Sequence, residues 1–284
     1  MARPENSATP MGRSMILHVG VQKTGTTSLQ RFLRRNAGDM ADAVILRTPE
    51  EGTPMRPLGR AAIRLSLAPG DDNERLFRLA FEDVLDTVPD GSQTVLISHE
   101  NLAGAMPGNG GETRLFPMLP RIVKLLDKVA QERGFAPQFV VGTRRMTQWK
   151  PSVWAQAVRT DGYPRGFDEF QAEVSDLPGW GDLMRRLSAA LAPGCLHRLR
   201  LEDEADPARP GAQLLRIAGL SEARIAALAP LEGRSMERLS AGATEFLRRI
   251  NGLALNPHAR DKVADLVARS QTLFAADAPP KGTS

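Results

Sequence analysis

Five short apolar runs, each followed by a stretch of a different period, constrain the fold more than any other feature of this chain. They are "SMILHVG" (14–20), "DAVILRTP" (42–49), "SQTVLISHEN" (92–101), "PQFVVGTRR" (137–145) and "GCLHRLRLED" (194–203). Parallel neighbours in a sheet need a long crossover, usually a helix. The alternation therefore predicts an α/β fold, a central parallel sheet with helices on both faces. Ligands of such sheets collect at the carboxyl ends of the strands, so the chemistry is expected just after each run.

The helical stretches carry their own signals. In "TSLQRFLRRNA", Leu29, Phe32 and Leu33 recur on one face. In "DNERLFRLAFEDVLDTV", Asp72 or Asn73 is the expected cap, and Leu76, Leu79, Ala80, Asp83 and Val84 set the period. A third helix is expected from Pro120, with Gly134 just past its end, and a fourth over "TQWKPSVWAQAVRT". Beyond the fifth run the chain reads as helical, through "ARPGAQLLRIAGL", "SEARIAALA", "SAGATEFLRRING" and "ARDKVADLVARSQTLF". Residues 50–72 read as low in order, and the glycine-rich "LAGAMPGNGGE" as a mobile loop. The segments 1–13 and 276–284 are small, polar and proline-bearing, so they are expected to be disordered tails on one domain spanning 14–275.

Composition narrows the class. The chain has 284 residues, 42% hydrophobic and 25% charged, as in an ordinary globular protein. The net charge of +4 suits an anionic ligand, but basic and acidic residues are interspersed, so no nucleic-acid stripe is expected. The one cysteine, Cys195, rules out an internal disulfide and a thiolate metal cluster, and it is expected as a buried strand residue. The first residues hold no apolar segment of a secretory signal, and no window nears the ~18 apolar residues of a membrane span. A soluble, cytoplasmic protein is the expectation; the oligomeric state is not legible.

The first run leads into "GVQKTGTTSLQ". Lys23, Thr24, Gly25, Thr26, Thr27 and Ser28 sit where a strand hands over to a helix. Free N–H groups at a helix start hold anions, glycine permits close approach, and lysine and hydroxyls add charge and donors. The nucleotide loop G-x-x-x-x-G-K-[ST] has its lysine after the second glycine; here Lys23 precedes Gly25. "TVLIS" also ends in Ser98 and His99 rather than in a magnesium-binding aspartate. A kinase or NTPase of P-loop type is therefore the weaker alternative. A non-catalytic nucleotide-binding module is another, and a well-capped helix with a surface lysine is the plain structural one.

The loop resembles the 5′-phosphosulfate loop of sulfotransferases that use 3′-phosphoadenosine 5′-phosphosulfate (PAPS). It is most similar to the bacterial and carbohydrate-type members, which carry K-T-G-T-T where the cytosolic type carries K-S-G-T-T. The resemblance implies a P-loop-like sheet. It puts Lys23 on the bridging oxygen and the transferred sulfonate, and Thr24 to Ser28 on the 5′-phosphate. It also implies an arginine after a strand with a serine eight residues on, to hold the 3′-phosphate; Arg144 and Ser152 match, with Arg145 second because it breaks that spacing. Pro151 is compatible with a first helical turn, which would set Ser152 near a helix N-terminus. The chain departs from the cytosolic type in lacking a glycine- and lysine-rich segment near its C-terminus; Arg234 and Ser235 of "LEGRSMERLS" are a suggested substitute.

Sulfonate transfer also needs a base near the acceptor. Ser98-His99-Glu100 resembles the S-S-E pattern of bacterial members, and neighbours on a strand face opposite ways. Glu100 is preferred to His99. His18 is read as a core or supporting histidine, and Trp149 and Trp154 as core residues rather than adenine platforms. No metal is expected. The implied acceptor is a hydroxyl or amine of a small molecule or carbohydrate, bordered by 50–72 and 101–113.

Overall fold

The computed structural model describes residues 12–232 and 239–274. Five strands, β1 (Arg13–Gly20), β2 (Val44–Arg47), β3 (Thr94–Ser98), β4 (Phe135–Thr143) and β5 (Leu196–Arg200), fall on the five apolar runs. They form one all-parallel sheet in the order β2-β3-β1-β4-β5. The helices are α1 (Thr26–Arg35), α2 (Met55–Leu67), α3 (Asp71–Asp86), α4 (Leu119–Glu132), α5 (Met146–Thr160), α6 (Phe167–Glu173) and α7 (Trp180–Ser188). After β5 come α8 (Ala212–Ile217), α9 (Glu222–Ala227), α10 (Ala241–Asn251) and α11 (Pro257–Arg269).

Strand side chains alternate between two cores, as the pleat requires. Met15, Leu17, Val95, Ile97, Phe139 and Val141 pack against α2, α3, α4 and α7. Ile16, Leu96 and Val140 face the other way, against α1, α8 and α9. Helices thus cover both faces. A third cluster, Val158, Ala243, Leu247, Ala264 and Val267, fastens α10 and α11 to α5. From β1 the chain crosses to one side for β2 and β3, then to the other for β4 and β5. The strand order reverses around β1, and a crevice opens there beyond the carboxyl ends.

Several local expectations are corrected. Residues 55–67, read as low in order, form the 13-residue α2, whose Met55, Leu58, Ala62 and Leu65 are buried. α3 starts after Gly70, with no side-chain cap from Asp72 or Asn73. Its buried face is Phe77, Ala80, Phe81, Val84 and Leu85, while Leu76 and Leu79 are exposed. The two phenylalanines, four residues apart, carry more area than the leucines and turn the helix toward themselves. The glycine-rich loop is packed at its start: Glu100–Ala103 is a 3-10 turn, and Leu102, Ala103, Ala105 and Met106 are buried. α6 and α7 went unforeseen. Cys195 precedes β5 and is only half-buried. Arg13 belongs to β1, and its guanidinium donates to the Gln93 and Pro89 carbonyls. The rest of the expected tails, apart from Gly12, and Arg234 with Ser235, lie outside the described residues.

Candidate functional site

The turn after β1 is compressed against the turn after β3. A Cβ on Gly20, at φ 62°, would come within 2.4 Å of the Glu100 Cα, so only glycine lets the two backbones approach this closely. The chain then passes through Lys23 at φ 69°, a left-handed conformation that costs a non-glycine residue energy. Gly25, at φ 90°, is the N-cap of α1. Since it has no side chain, no cap hydrogen bond covers the first N–H groups, and α1 has no acid in its first turn and Arg34 and Arg35 in its last. The α1 N-terminus is thus left open toward the crevice, with no acid of its own first turn to offset its positive end. Trp149, fully buried, steadies the approach by donating its Nε1–H to the Gln22 carbonyl at 2.9 Å.

These parts border one cavity of about 510 Å³. Lys23, Gly25, Thr26, Thr27, Ser28, Glu100, Arg144 and Ser152 all line it, although they come from the turns after β1, β3 and β4 and from α1 and α5. Two expected site residues do not. Thr24 is buried and donates its hydroxyl to the Val21 carbonyl at 2.6 Å, holding the turn from within. His99 is buried on the other side of the strand end, its Nε2 aimed at Gly59 of α2, where an added Cβ would stand 2.1 Å away. Trp149 and Trp154 lie in the core and against it, as read from the sequence.

α5 runs the length of the cavity. Ser152, Ala155, Gln156 and Arg159 form one stripe on it, and Thr160 and Asp161 close it. Near its start, Arg144 Nη1 donates to Ser152 Oγ at 3.2 Å, so the residues paired by an eight-residue spacing are in contact. Ser152 Oγ in turn donates to the Gln148 carbonyl at 3.0 Å. About 6 Å further along the axis, at 1.5 Å per residue, Gln156 Oε1 accepts from Lys23 Nζ at 3.2 Å. The far end brings Asp161, whose Oδ1 accepts from Asn109 at 2.9 Å, beside Asn101, Met106 and Ile63. The cavity is therefore cationic at the Arg144 end and mixed at the other. α5 begins at Met146, not at Pro151, so Ser152 lies in the helix interior and gains nothing from the helix N-terminus.

Glu100 faces the cavity with one oxygen held. Gln30 of α1, itself buried, donates to Glu100 Oε2 at 2.8 Å and to the Ser98 carbonyl at 3.3 Å. Burial raises the Glu100 pKa, but hydrogen bonding and charge from His99, its own backbone N–H and Gln30 outweigh that and bring it to about 2. The His99 share exists only for a protonated ring. In the neutral ring Nδ1 accepts the Asn101 N–H at 3.2 Å and stands 3.7 Å from Glu100 Oε2, outside hydrogen-bond range. Gln30 was not foreseen, nor were Gln22, Gln156, Arg159 and Asp161; Asn101 and Asn109 lie in the 101–113 segment expected to border the acceptor. Stepping by three and four from Ser152 along its helix would have found Gln156 and Arg159; the others carry no motif. Burial raises the Asp161 carboxyl to about 6, against the Thr160 hydroxyl and Arg260 charge that lower it.

His18 lies under the site, its Nδ1 2.8 Å from Ser98 Oγ. Burial lowers its pKa from 6.5 to about 4, although the Glu100 charge raises it. The unfolded chain takes up this proton first as pH falls. The stabilising contribution of neutral His18 is thus full above pH 6.5 and drains away as pH falls toward 4. Roughly 3 kcal/mol should be lost across that window. Urea unfolding from pH 7 to 4 is expected to lose this slope in His18→Gln; equal slopes in both proteins would contradict it. Glu100, with its folded value below its unfolded one, acts in a lower window, below about 4.5.

No known family matches the chain, and no curated protein matches it either. Among the described residues no helix is long and apolar enough to cross a membrane, and no three His, Cys, Asp or Glu side chains gather as a metal site.

Proposed function

We propose that the protein is a PAPS-dependent sulfotransferase with a P-loop-like anion loop, which moves a sulfonate group to a hydroxyl or amine of a small-molecule or carbohydrate acceptor. The observation that carries this is one cavity in which an uncapped helix N-terminus with Lys23 and a second cationic point, Arg144 on Ser152, face the same space as an ionised carboxylate, Glu100. A nucleotide with phosphates at both ends of its ribose has the matching charge pattern. The N–H groups of Thr26 to Ser28 would receive the 5′-phosphate and Arg144 with Ser152 the 3′-phosphate. The acceptor oxygen forms a bond to sulfur while the bond from sulfur to the bridging oxygen breaks. Lys23 meets the charge left on that oxygen, and Glu100 takes the acceptor proton. The mixed far end, with Ile63, Met106, Asn101, Asn109 and Asp161, is left for the acceptor.

The test is a thermal-shift comparison of 3′,5′-ADP without divalent metal against ATP with magnesium. At a hundred times its dissociation constant, 3′,5′-ADP should stabilise the fold by about 2.7 kcal/mol. A response to ATP with magnesium alone would favour the kinase or NTPase alternative and overturn the proposal. A response to 3′,5′-ADP without any transfer from PAPS would leave a binding module.

Arg144→Ala separates binding from turnover. Arg144 is assigned a phosphate that does not react, so its energy is shared by ground and transition states. Losing such a charge-assisted bond costs roughly 1.5–3 kcal/mol. The cofactor KM should rise accordingly while kcat at saturation stays close to wild type. An unchanged KM with a collapsed kcat would remove Arg144 from this role.

A further inference from the structure

A second hollow, of about 220 Å³, lies on the other side of Arg144 and is lined by Arg144, Arg145, Trp180, Arg198, Arg200 and Glu202. Four arginines converge there from two neighbouring strand ends. Arg198 and Arg200 are alternate, exposed residues on one face of edge strand β5; Arg144 and Arg145 follow β4. Alternating charge on β5 serves to blunt a sheet edge. That does not account for the pair from β4 turning to the same space.

Acid is sparse around Arg145 and Arg198. Glu202 is the one carboxylate among the lining residues of the hollow; it accepts the backbone N–H of Arg145 at 2.7 Å and also feels the Arg145 and Arg200 charges, without a direct hydrogen bond from either guanidinium. Arg200 reaches Asp203 only at 3.7 Å, and Arg198 Nε donates to the neutral Thr143 hydroxyl at 3.0 Å. Among the described residues neither Arg145 nor Arg198 has an ion pair with a carboxylate, whereas most ion pairs elsewhere in the fold join an arginine to an acid within four residues or across a helix contact. Trp180 closes one wall and is itself fixed, its Nε1–H donating to the Arg144 carbonyl at 2.6 Å. Planar guanidiniums lining one hollow suit a tetrahedral oxyanion, which each can meet with paired N–H donors.

We infer that this hollow is a binding site for a phosphate or sulfate group, separate from the two anion positions of the main cavity and linked to them through Arg144. The group belongs either to a free inorganic ion or to an ester on a larger molecule; both present the same oxygens. Because Arg144 borders both spaces, an anion in the hollow draws on the guanidinium that faces Ser152. Binding at the two places is therefore antagonistic and reciprocal. This second part rests on the proposed function; the site itself does not.

The experiment compares the wild-type protein with Arg145→Gln/Arg200→Gln, and with Arg198→Gln as a second variant in case the first is poorly folded. Melting temperature is followed against sodium sulfate, and against glucose 6-phosphate, with sodium chloride at matched ionic strength as the baseline. Saturable stabilisation above the chloride baseline is expected in the wild type and is expected to shrink in the variants, which keep the anion positions of the main cavity. A tighter response to the ester assigns the hollow to a phosphorylated or sulfated molecule, and a tighter response to sulfate assigns it to the free ion. Equal responses in wild type and variants, or none above chloride in the wild type, would overturn the site. In the second arm, sulfate should weaken 3′,5′-ADP about fivefold or more in the wild type, and clearly less in the variants. The same sulfate competition in all proteins would mean that sulfate enters the main cavity, which overturns the linkage. A failure of 3′,5′-ADP to bind any of them would sink the proposed function and the linkage, while the melting arm still reads the site.

Discussion

Lys23→Ala is expected to lower kcat by about 10²–10³-fold, the usual consequence of removing one donor aimed at developing charge. The ammonium is poised at the cavity wall by Gln156, 3.2 Å away, and the backbone beneath it is held at φ 69°. Alanine suffers the same left-handed strain as lysine, so the substitution removes the charge and leaves the backbone energetics comparable. Charge builds on the bridging oxygen only as the bond from sulfur breaks, so the loss should fall on kcat. The affinity for 3′,5′-ADP should fall far less, because the helix N-terminus and Arg144 remain. Single-turnover kinetics with PAPS check this. A variant that keeps its turnover and loses only nucleotide affinity would make Lys23 a simple phosphate clamp.

Glu100→Gln should reduce kcat by roughly 10²-fold or more, within the usual span for a general base, and leave 3′,5′-ADP affinity nearly unchanged. The amide keeps the shape of the carboxylate, and its oxygen can still accept from Gln30. Nucleotide binding thus reports on folding while turnover reports on the base. A carboxyl held below its ordinary value is ionised throughout the neutral range, so it stands ready to accept a proton but draws on it weakly. Proton transfer then comes late, once the new bond to sulfur has made the acceptor proton acidic, and turnover should show no inflection from Glu100 between about pH 4 and 8. His99→Asn should be milder, because its ring lies behind the strand end and does not border the cavity. Turnover abolished by His99→Asn but preserved by Glu100→Gln would reverse the two assignments.

The sheet was legible because each strand is an uninterrupted apolar run, and a parallel strand buried on both faces leaves that mark without help from its neighbours. The loop after β1 was legible for a related reason: lysine, glycine and hydroxyls at the start of a helical pattern have a local cause. Elements whose order comes from distant partners were not. α2 has a small-residue, arginine-bearing sequence, "MRPLGRAAIRLSL", and is fixed by packing on β1, β3 and α3. The start of the glycine-rich loop is ordered by burying Leu102 and Met106 in that core. The same division runs through the site. Arg144 and Ser152, matched only through the resemblance, come into contact because a short strand-to-helix turn and the first turns of α5 fix their distance. Gln30 gave no sign, because its role depends on where Glu100 arrives from 70 residues away. Ser152 lost its expected place at a helix start because α5 continues through Pro151, which forgoes its own N–H bond inside the helix.

A crystal structure with 3′,5′-ADP tests the central claim most directly. Nucleotide density is expected in the cavity at the carboxyl edge of β1 and β4, with one phosphate on the N–H groups of Thr26, Thr27 and Ser28 beside Lys23. The other phosphate should lie on Arg144 and Ser152, leaving the space beside Glu100 open to an acceptor. Density for the nucleotide outside this cavity, or a phosphate resting against Glu100 and Asp161 with Arg144 untouched, would contradict it.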